Sequence, residues 1–174
     1  MKSSNNATDL IKKAKTLKKQ ENFEEALEIL DQLYEKFPNS EEIKNILIET
    51  LFDYGGYLND YYTQKYQKAL KIFKRITDLS SNNYRAHYNL GIAYYNLGEM
   101  ENAKNSLETA LKIKPDYKYC FYNLGLIYEA IENYEEALKN YEHALEIDPN
   151  FTYALVAQSQ IRQKLNELKR MRIK

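Results

Sequence analysis

The feature that most constrains the fold is an internal repeat. Two adjacent segments of 34 residues, 84–117 and 118–151, align with each other without a gap. Both carry Tyr-Asn-Leu-Gly near the start, a Tyr three residues later, Ala-Leu in the second half and a Pro close to the end. A unit of this length is one supersecondary element that cannot bury its apolar face alone, so neighbouring copies have to stack.

Two weaker copies precede this pair. Residues 7–40 form one copy of the same length, and residues 41–83 form another that is nine residues longer. We assign the surplus to residues 56–64, GYLNDYYTQ, between the two halves of that copy. In this frame Pro38, Pro115 and Pro149 share one slot, where the lengthened copy has Ser81. The inserted segment has two interpretations, a longer turn or an extra contact loop.

The apolar spacing within one copy predicts two amphipathic helices. The first carries, at i, i+3, i+4 and i+7, the residues His87, Leu90, Gly91 and Tyr94. The second repeats the spacing with Ala103, Leu107 and Ala110. Gly98 suits the turn between them, and Pro115 ends the second helix because proline lacks a backbone N–H. We expect the helices to approach closely at their small residues, Gly91, Gly125, Ala103 and Ala137.

These motifs resemble the tetratricopeptide repeat (TPR). The matching slots in the third and fourth copies are Leu90-Gly91, Tyr94, Ala103, Leu107 and Pro115, then Leu124-Gly125, Tyr128, Ala137, Tyr141 and Pro149. The Trp that begins the family signature is replaced by His87 and Phe121. The resemblance implies an all-α fold, a right-handed α-solenoid of about four helix-turn-helix units over residues 7–151. Residues 152–174 then form a C-terminal capping helix with a basic tail, either solvated or in contact with an anionic partner.

The resemblance also implies a binding surface. In this family the first helices line a concave groove with the second, fifth, sixth, ninth and twelfth residues of each repeat. The predicted peptide-binding groove is therefore formed by Arg85, Tyr88, Asn89, Ile92, Tyr95, Tyr119, Tyr122, Asn123, Leu126 and Tyr153. The same slots contain Glu129 in the fourth copy and Val156 and Gln160 in the capping helix.

The predicted groove is aromatic where a merely solvated face would be charged, which favours a partner site. The alternative is that the chain's 17 tyrosines reflect a biased composition. Asn89 and Asn123 lie one repeat apart in the sixth slot and resemble the asparagine ladder by which some family members hold a peptide backbone. The alternative is that Asn is simply common there. The cations of the family's two-carboxylate clamp are missing from the corresponding slots.

Composition narrows the function further. The formal net charge is zero, which argues against nucleic-acid binding, and no apolar run approaches the length of a membrane span. The single cysteine, Cys120, is interpreted as an inert thiol and favours a reducing, cytoplasmic location. His87 and His143 fall in unlike slots, and no phosphate-binding loop accompanies them. We therefore expect no catalytic site, metal or cofactor.

The sequence thus predicts a non-catalytic adaptor or scaffold that binds an extended peptide or partner segment in its concave groove. Two alternatives stay open, a regulatory TPR region of a larger enzyme or enzyme complex, and a helical-repeat RNA binder. Weak self-association is compatible with each of them. The identity of the partner is not encoded in any motif of the chain.

Overall fold

The computed structural model describes residues 2–60 and 62–172, and the side chains of residues 7–60 and 62–171. These residues form nine α-helices and no strand, and the chain divides into two compact units, Met1–Ser81 and Asn82–Lys174. The helices of the first unit are α1 (Lys2–Lys19), α2 (Phe23–Lys36), α3 (Glu41–Asn59) and α4 (Tyr66–Leu79). The helices of the second unit are α5 (Tyr84–Asn96), α6 (Met100–Ile113), α7 (Lys118–Ala130), α8 (Tyr134–Ile147) and α9 (Thr152–Arg172).

The helices pack as consecutive pairs. In the first unit α1 packs on α2 and α3 on α4, and in the second unit α5 packs on α6, α7 on α8 and α9 on α8. The all-α helical repeat fold predicted from the sequence is confirmed. The predicted spans 84–117 and 118–151 each contain one pair, although the repeat boundaries themselves stay predictions.

The turns inside three pairs share one conformational requirement. The fifteenth residue of the repeat has a positive φ each time, 61° at Glu21, 76° at Gly98 and 59° at Glu132. Glycine adopts this left-handed conformation freely, whereas a residue with a Cβ is strained there. Gly98 therefore suits its turn as predicted. Glu21 and Glu132 adopt the same backbone conformation in their turns at a cost in free energy.

Close helix contacts explain the small residues of the repeat. A Cβ added at Gly91 would lie 2.7 Å from Leu107 Cγ, and one added at Gly125 would overlap the Tyr141 ring. Ala103 and Ala137 are fully buried in the same contacts. The predicted close approach is confirmed at the two glycines, where Leu107 and Tyr141 of the second helices pack against Gly91 and Gly125.

The inserted segment 56–64 requires a correction, because it does not lie wholly between two helices. Helix α3 has 19 residues where α5 has 13, and its connection to α4 has six residues where the α5–α6 connection has three. Most of the surplus is therefore helix. The apolar stripe of α3 continues through Tyr54 and Leu58, both buried, and packing on this stripe outweighs the low helix propensity of the glycine pair. Tyr61, also in the segment, lies outside the described residues.

Helix α9 packs on α8 with one face and is polar on another. Its buried residues are Ala154, Ala157 and Ile161. In the slots that hold Leu124, Gly125 and Tyr128 in α7, α9 has Gln158, Ser159 and Arg162. This polar face is compatible with a capping helix, and the capping role of residues 152–174 stays a prediction. Lys169 and Arg170 of the predicted basic tail are exposed, whereas Ile173 and Lys174 lie outside the described residues. Within the described ranges, no helix has the length and apolarity needed to cross a membrane.

Candidate functional site

The second unit contains a groove of about 1150 Å³ lined mainly by α7 and α9. Tyr95 at the end of α5 and Tyr134 at the start of α8 complete its walls. Most of the lining is aromatic or aliphatic, and a few charged and polar side chains stand among it. The lining residues are Tyr95, Tyr122, Leu126, Glu129, Ala130, Glu132, Tyr134, Thr152, Tyr153, Val156, Ala157, Gln160, Ile161 and Lys164.

Four of the ten predicted groove residues line this cavity together, namely Tyr95, Tyr122, Leu126 and Tyr153. The same slots also contribute Glu129, Val156 and Gln160. The other six predicted residues lie on α5 and α7 but do not line the cavity. They are Arg85, Tyr88, Asn89, Ile92, Tyr119 and Asn123. The cavity is thus displaced toward α9 relative to the face that the resemblance implies.

Ring contacts hold the aromatic wall in place. The Tyr122 ring lies 5.5 Å from Phe151, 5.9 Å from Tyr141 and 6.0 Å from Tyr153, measured between ring centroids. Phe151 is buried, whereas Tyr153 is 67% exposed. Distances and tilts of this order are favourable for aromatic pairs. The wall therefore presents a fixed aromatic surface rather than a set of freely rotating side chains.

One carboxylate in the groove has a fixed orientation. The hydroxyl of Tyr141 donates a hydrogen bond of 2.7 Å to Glu129 Oε2. Tyr141 is fully buried, and burial, followed by the hydrogen bond to Glu129, raises the pKa of its hydroxyl well above the ordinary value. The tyrosine therefore remains a neutral donor, and it holds the half-buried Glu129 carboxylate against the groove wall.

Several lining residues were not predicted. They are Ala130, Glu132, Tyr134, Thr152, Ala157, Ile161 and Lys164. The family slots describe a single face of each first helix, whereas the groove is also closed by the α7–α8 turn and by the far end of α9. One signal was available for Glu132, because it occupies the slot in which the preceding repeat has Gly98. A charged residue in a slot that favours glycine is a site worth considering.

The two asparagines of the predicted ladder are partly engaged by the protein itself. The amide nitrogen of Asn89 donates to the Arg85 carbonyl over 2.8 Å, and that of Asn123 donates to the Tyr119 carbonyl over 2.8 Å. Asn123 also donates to the Tyr88 hydroxyl over 3.3 Å, which joins α5 to α7. These amides therefore suit the N–H groups of a peptide better than its carbonyl groups.

Three tyrosines outside the groove, Tyr84, Tyr88 and Tyr117, pack against one another. The Tyr88 ring stands edge-on to Tyr117 at 5.2 Å, and Tyr117 stands edge-on to Tyr84 at 5.1 Å. Burial, with a smaller contribution from Tyr117, raises the pKa of Tyr88. Part of the high tyrosine content is thus explained by contacts between helices. Tyr119, at 40% exposure, lies at the outer edge of this cluster.

The cysteine and one of the two histidines, the side chains with the greatest reactive potential, have the following surroundings. Cys120 is fully buried, and burial raises the pKa of its thiol to about 12, so the thiolate is scarce near neutral pH. His143 is exposed and lies 3.0 Å from Glu146. Among the described residues, no group of three or more His, Cys, Asp and Glu side chains is arranged to hold a metal ion.

The first unit has a smaller cavity of about 290 Å³ beside the α1–α2 turn. Phe23 stacks on Tyr54 at 5.3 Å and contacts Tyr57 at 5.7 Å, so that the lengthened α3 covers the start of α2. The Tyr54 hydroxyl donates a 2.7 Å hydrogen bond to Glu24 Oε1. Burial first, and then this bond, raises the pKa of Tyr54 to about 12.

Comparison with known proteins agrees with this geometry. Residues 82–150 and residues 10–40 each match a description of the tetratricopeptide repeat. A DnaJ homolog subfamily C member 3 from Gallus gallus is 27% identical over 103 residues, which is 59% of this chain and only 19% of the relative's length. The matched part of the chain thus corresponds to about a fifth of that relative.

Solved structures with the same fold extend the comparison. The first TPR of Spaghetti (RPAP3), bound to the HSP90 peptide SRMEEVD, is 25% identical with a TM-score of 0.63, over 68% of this chain and 93% of that one. MamA is 22% identical with a TM-score of 0.70, over 88% of this chain and 84% of its own. The repeat motifs, the helix pairs and the matches over both units lead to one conclusion: the chain belongs to the tetratricopeptide repeat family.

Proposed function

We propose that the protein is a non-catalytic interaction module that binds a peptide or partner segment in the groove between α7 and α9. It would act as an adaptor or scaffold. The observation that carries the proposal is the lining of that groove. The groove has a volume of about 1150 Å³, and nine of its fourteen lining residues are aromatic or aliphatic. Tyrosine is enriched among the residues that contribute most to protein–protein binding.

The related structures support the class of ligand. The first TPR of Spaghetti (RPAP3) is bound to a peptide, and by analogy we propose a peptide ligand here. Tyrosine suits such a site because it offers a large apolar face and a hydrogen-bonding tip. The adjoining face with Asn89 and Asn123 would extend the contact along an elongated ligand, accepting hydrogen bonds from its backbone N–H groups.

The cytoplasm is the proposed location, supported by the buried free thiol of Cys120. A second role deserves a test, that of a regulatory TPR region in a larger protein or complex. It is favoured by the curated relative, of which the matched segment is only 19%. Both roles use the same groove, and they differ in whether the partner is a separate protein or another part of a longer chain.

The test of the groove uses two neighbouring residues of α9. Val156 lines the groove and is 52% exposed, whereas Leu155 is 44% exposed and does not line it. A displayed library of random 12-residue peptides is selected on the wild-type protein, and the enriched peptides are synthesised. Their affinities are then measured by fluorescence anisotropy for wild type, Val156→Arg and Leu155→Arg, with circular dichroism as the folding control.

We expect Val156→Arg to weaken binding at least tenfold and Leu155→Arg to leave it unchanged, because only the first places a charged side chain in the cavity. Equal affinities for both variants would show that the peptides bind elsewhere, and the proposed function of this groove would fail. The variant Asn89→Ala/Asn123→Ala measures the contribution of the adjoining face in the same assay. If Asn89→Ala/Asn123→Ala lowered the affinity and Val156→Arg did not, the peptides would bind to the adjoining face and not in the groove.

A further inference from the structure

We infer that the groove selects segments in which a Lys or Arg lies close to a bulky apolar side chain, with Glu129 as the residue that receives the cation. This inference rests on the proposed function, because it concerns the ligand of the same groove. It specifies the chemistry of the partner, which the family alone does not fix. Two carboxylates, those of Glu129 and Glu132, line the groove together with the aromatic wall.

The first carboxylate is held in place before any ligand binds. Glu129 lies in α7, half-buried, and the buried Tyr141 hydroxyl donates to its Oε2 over 2.7 Å. That bond occupies part of one oxygen and leaves acceptor capacity on the carboxylate, which has about four lone-pair sites. An oriented anion with apolar neighbours attracts a cation more strongly than a solvated one does, because fewer water molecules screen it.

The second carboxylate stands at the same end of the groove. Glu132 is in the α7–α8 turn, three residues after Glu129, and it lines the cavity although its φ of 59° favours glycine. The groove also contains one basic side chain, Lys164 of α9. Two carboxylates and one ammonium give the lining a net negative charge, so it is complementary to a basic segment.

The apolar part of the ligand has a defined place as well. Leu126 lies one helical turn before Glu129, and Val156 and Ile161 face the groove from α9. Tyr122 and Tyr153 form the adjacent aromatic wall. A Leu, Ile or Phe side chain on this surface would place a Lys or Arg a few residues away beside Glu129. The aromatic faces favour the same cation, since they attract guanidinium and ammonium groups.

The charge of the groove also predicts what it rejects. The related TPR structure holds the peptide SRMEEVD, which has three acidic side chains and one basic one. Beside Glu129 and Glu132 such acidic side chains would be repelled. We expect SRMEEVD to bind this protein at least tenfold more weakly than a peptide of equal length that pairs Leu or Phe with Lys or Arg.

The experiment uses the peptides selected on the wild-type protein and SRMEEVD as an acidic probe. Each selected peptide is also made with its Lys or Arg replaced by Gln. Affinities are measured for wild type, Glu129→Gln and Glu135→Gln. Gln at 129 keeps an acceptor for the Tyr141 hydroxyl while it removes the charge, so the fold is preserved. Glu135 is an exposed glutamate of α8 that does not line the groove, and it provides the matched control.

We expect the selected peptides to be basic. Their affinity should fall about tenfold in Glu129→Gln and stay unchanged in Glu135→Gln. Removal of the peptide cation and of the Glu129 charge should not be additive, which identifies the pair directly. Peptides that require Val156 but carry no cation, or that bind Glu129→Gln unchanged, would overturn this inference and leave the proposed function intact. If no selected peptide depends on Val156, the proposed function and this inference both fail.

Discussion

The two units of the molecule contain the same local chemistry in different surroundings. In the first unit Tyr54 donates to Glu24, in the second Tyr141 donates to Glu129, and both bonds measure 2.7 Å. The carboxylate of the first unit lies beside a cavity of about 290 Å³, and that of the second lies in a groove of about 1150 Å³. A Tyr–Glu pair among aromatic side chains is therefore not a binding site by itself.

The length of α3 explains in large part why the cavity of the first unit is small. Because α3 continues to Asn59, Tyr54 and Tyr57 reach Phe23 and cover the start of α2. In the second unit α5 and α7 end after 13 residues, and α9 contributes an open wall instead of a lid. The comparison indicates that the number of turns in a helix can decide whether an aromatic cluster is used for packing or for recognition.

The largest expected effect tests whether the lengthened α3 depends on close packing. A Cβ at Gly55 would lie 2.6 Å from the Phe73 ring, whereas one at the neighbouring Gly56 meets nothing within 4 Å. We expect Gly55→Ala to lower the free energy of unfolding by about 1–3 kcal/mol through overpacking. Gly56→Ala, in an exposed helical position, should raise it by about 0.5–1 kcal/mol. Urea unfolding of both variants measures the difference, and equal effects would contradict the packing account.

The same glycine pair shows what sequence reasoning could and could not predict. Glycine has a low helix propensity, so the pair Gly55-Gly56 agrees with the prediction that residues 56–64 are a connection between helices. The stripe of Leu47, Leu51, Tyr54 and Leu58 at i, i+4, i+7 and i+11 was the competing signal, and it prevailed because its members are buried. Local propensity and apolar spacing disagreed there, and only the packing partner, Phe73, decides between them.

The candidate site was predictable to a similar extent. The slots implied by the family resemblance include Tyr95, Tyr122, Leu126 and Tyr153, which line the groove together. The slot pattern could not identify Lys164 or Tyr134, since their position depends on how the next helix and the turn close the cavity. The pattern also could not show that Tyr88 is engaged with Tyr117 and Asn123. Periodicity predicts faces, and side-chain volumes and helix lengths determine which parts of a face remain open.

The next effect separates the two tyrosine–glutamate pairs by function. Tyr54→Phe and Tyr141→Phe each remove one hydroxyl, and each should lower the free energy of unfolding by about 1 kcal/mol. Only Tyr141→Phe should change peptide affinity, because it releases the Glu129 carboxylate in the groove. Thermal unfolding and fluorescence anisotropy on the same samples provide both values. A change of affinity in Tyr54→Phe as well would mean that the first unit takes part in binding.

A smaller effect concerns the strained turns. Glu21 and Glu132 occupy the slot that Gly98 fills, with φ values of 61° and 59°. We expect Glu21→Gly and Glu132→Gly each to raise the free energy of unfolding by about 0.5–1 kcal/mol, because the left-handed conformation is strained for residues with a Cβ. The variants Glu21→Ala and Glu132→Ala keep the strain and should show no such gain. Among the four, only changes at Glu132 should alter the affinity for basic peptides.

The smallest effect is a pH dependence of stability that arises from the Tyr54–Glu24 pair of the first unit. The hydrogen bond from Tyr54, followed by the charge of Lys68, holds the pKa of Glu24 below its ordinary value of 4.5. Its contribution to stability is therefore complete above about pH 4.5 and is lost as the pH falls through the lowered pKa. For Tyr54, with a pKa of about 12 in the folded protein, the contribution is complete below pH 10 and is lost as the pH rises toward 12.

The variant Tyr54→Phe tests the acid part and the alkaline part of this pH dependence together. It removes the titrating hydroxyl and also the donor that lowers the pKa of Glu24, so the unfolding midpoint in urea should vary less with pH at both extremes than in wild type. Because Glu24 is largely exposed, we expect stability to change less with pH in the acid range than in the alkaline range. Tyr141→Phe, in the open groove, should also reduce the alkaline dependence, because burial raises the pKa of that hydroxyl. If the alkaline dependence were identical in wild type and Tyr54→Phe, Tyr54 would ionise as freely as in the unfolded chain, and its burial would not affect stability at high pH.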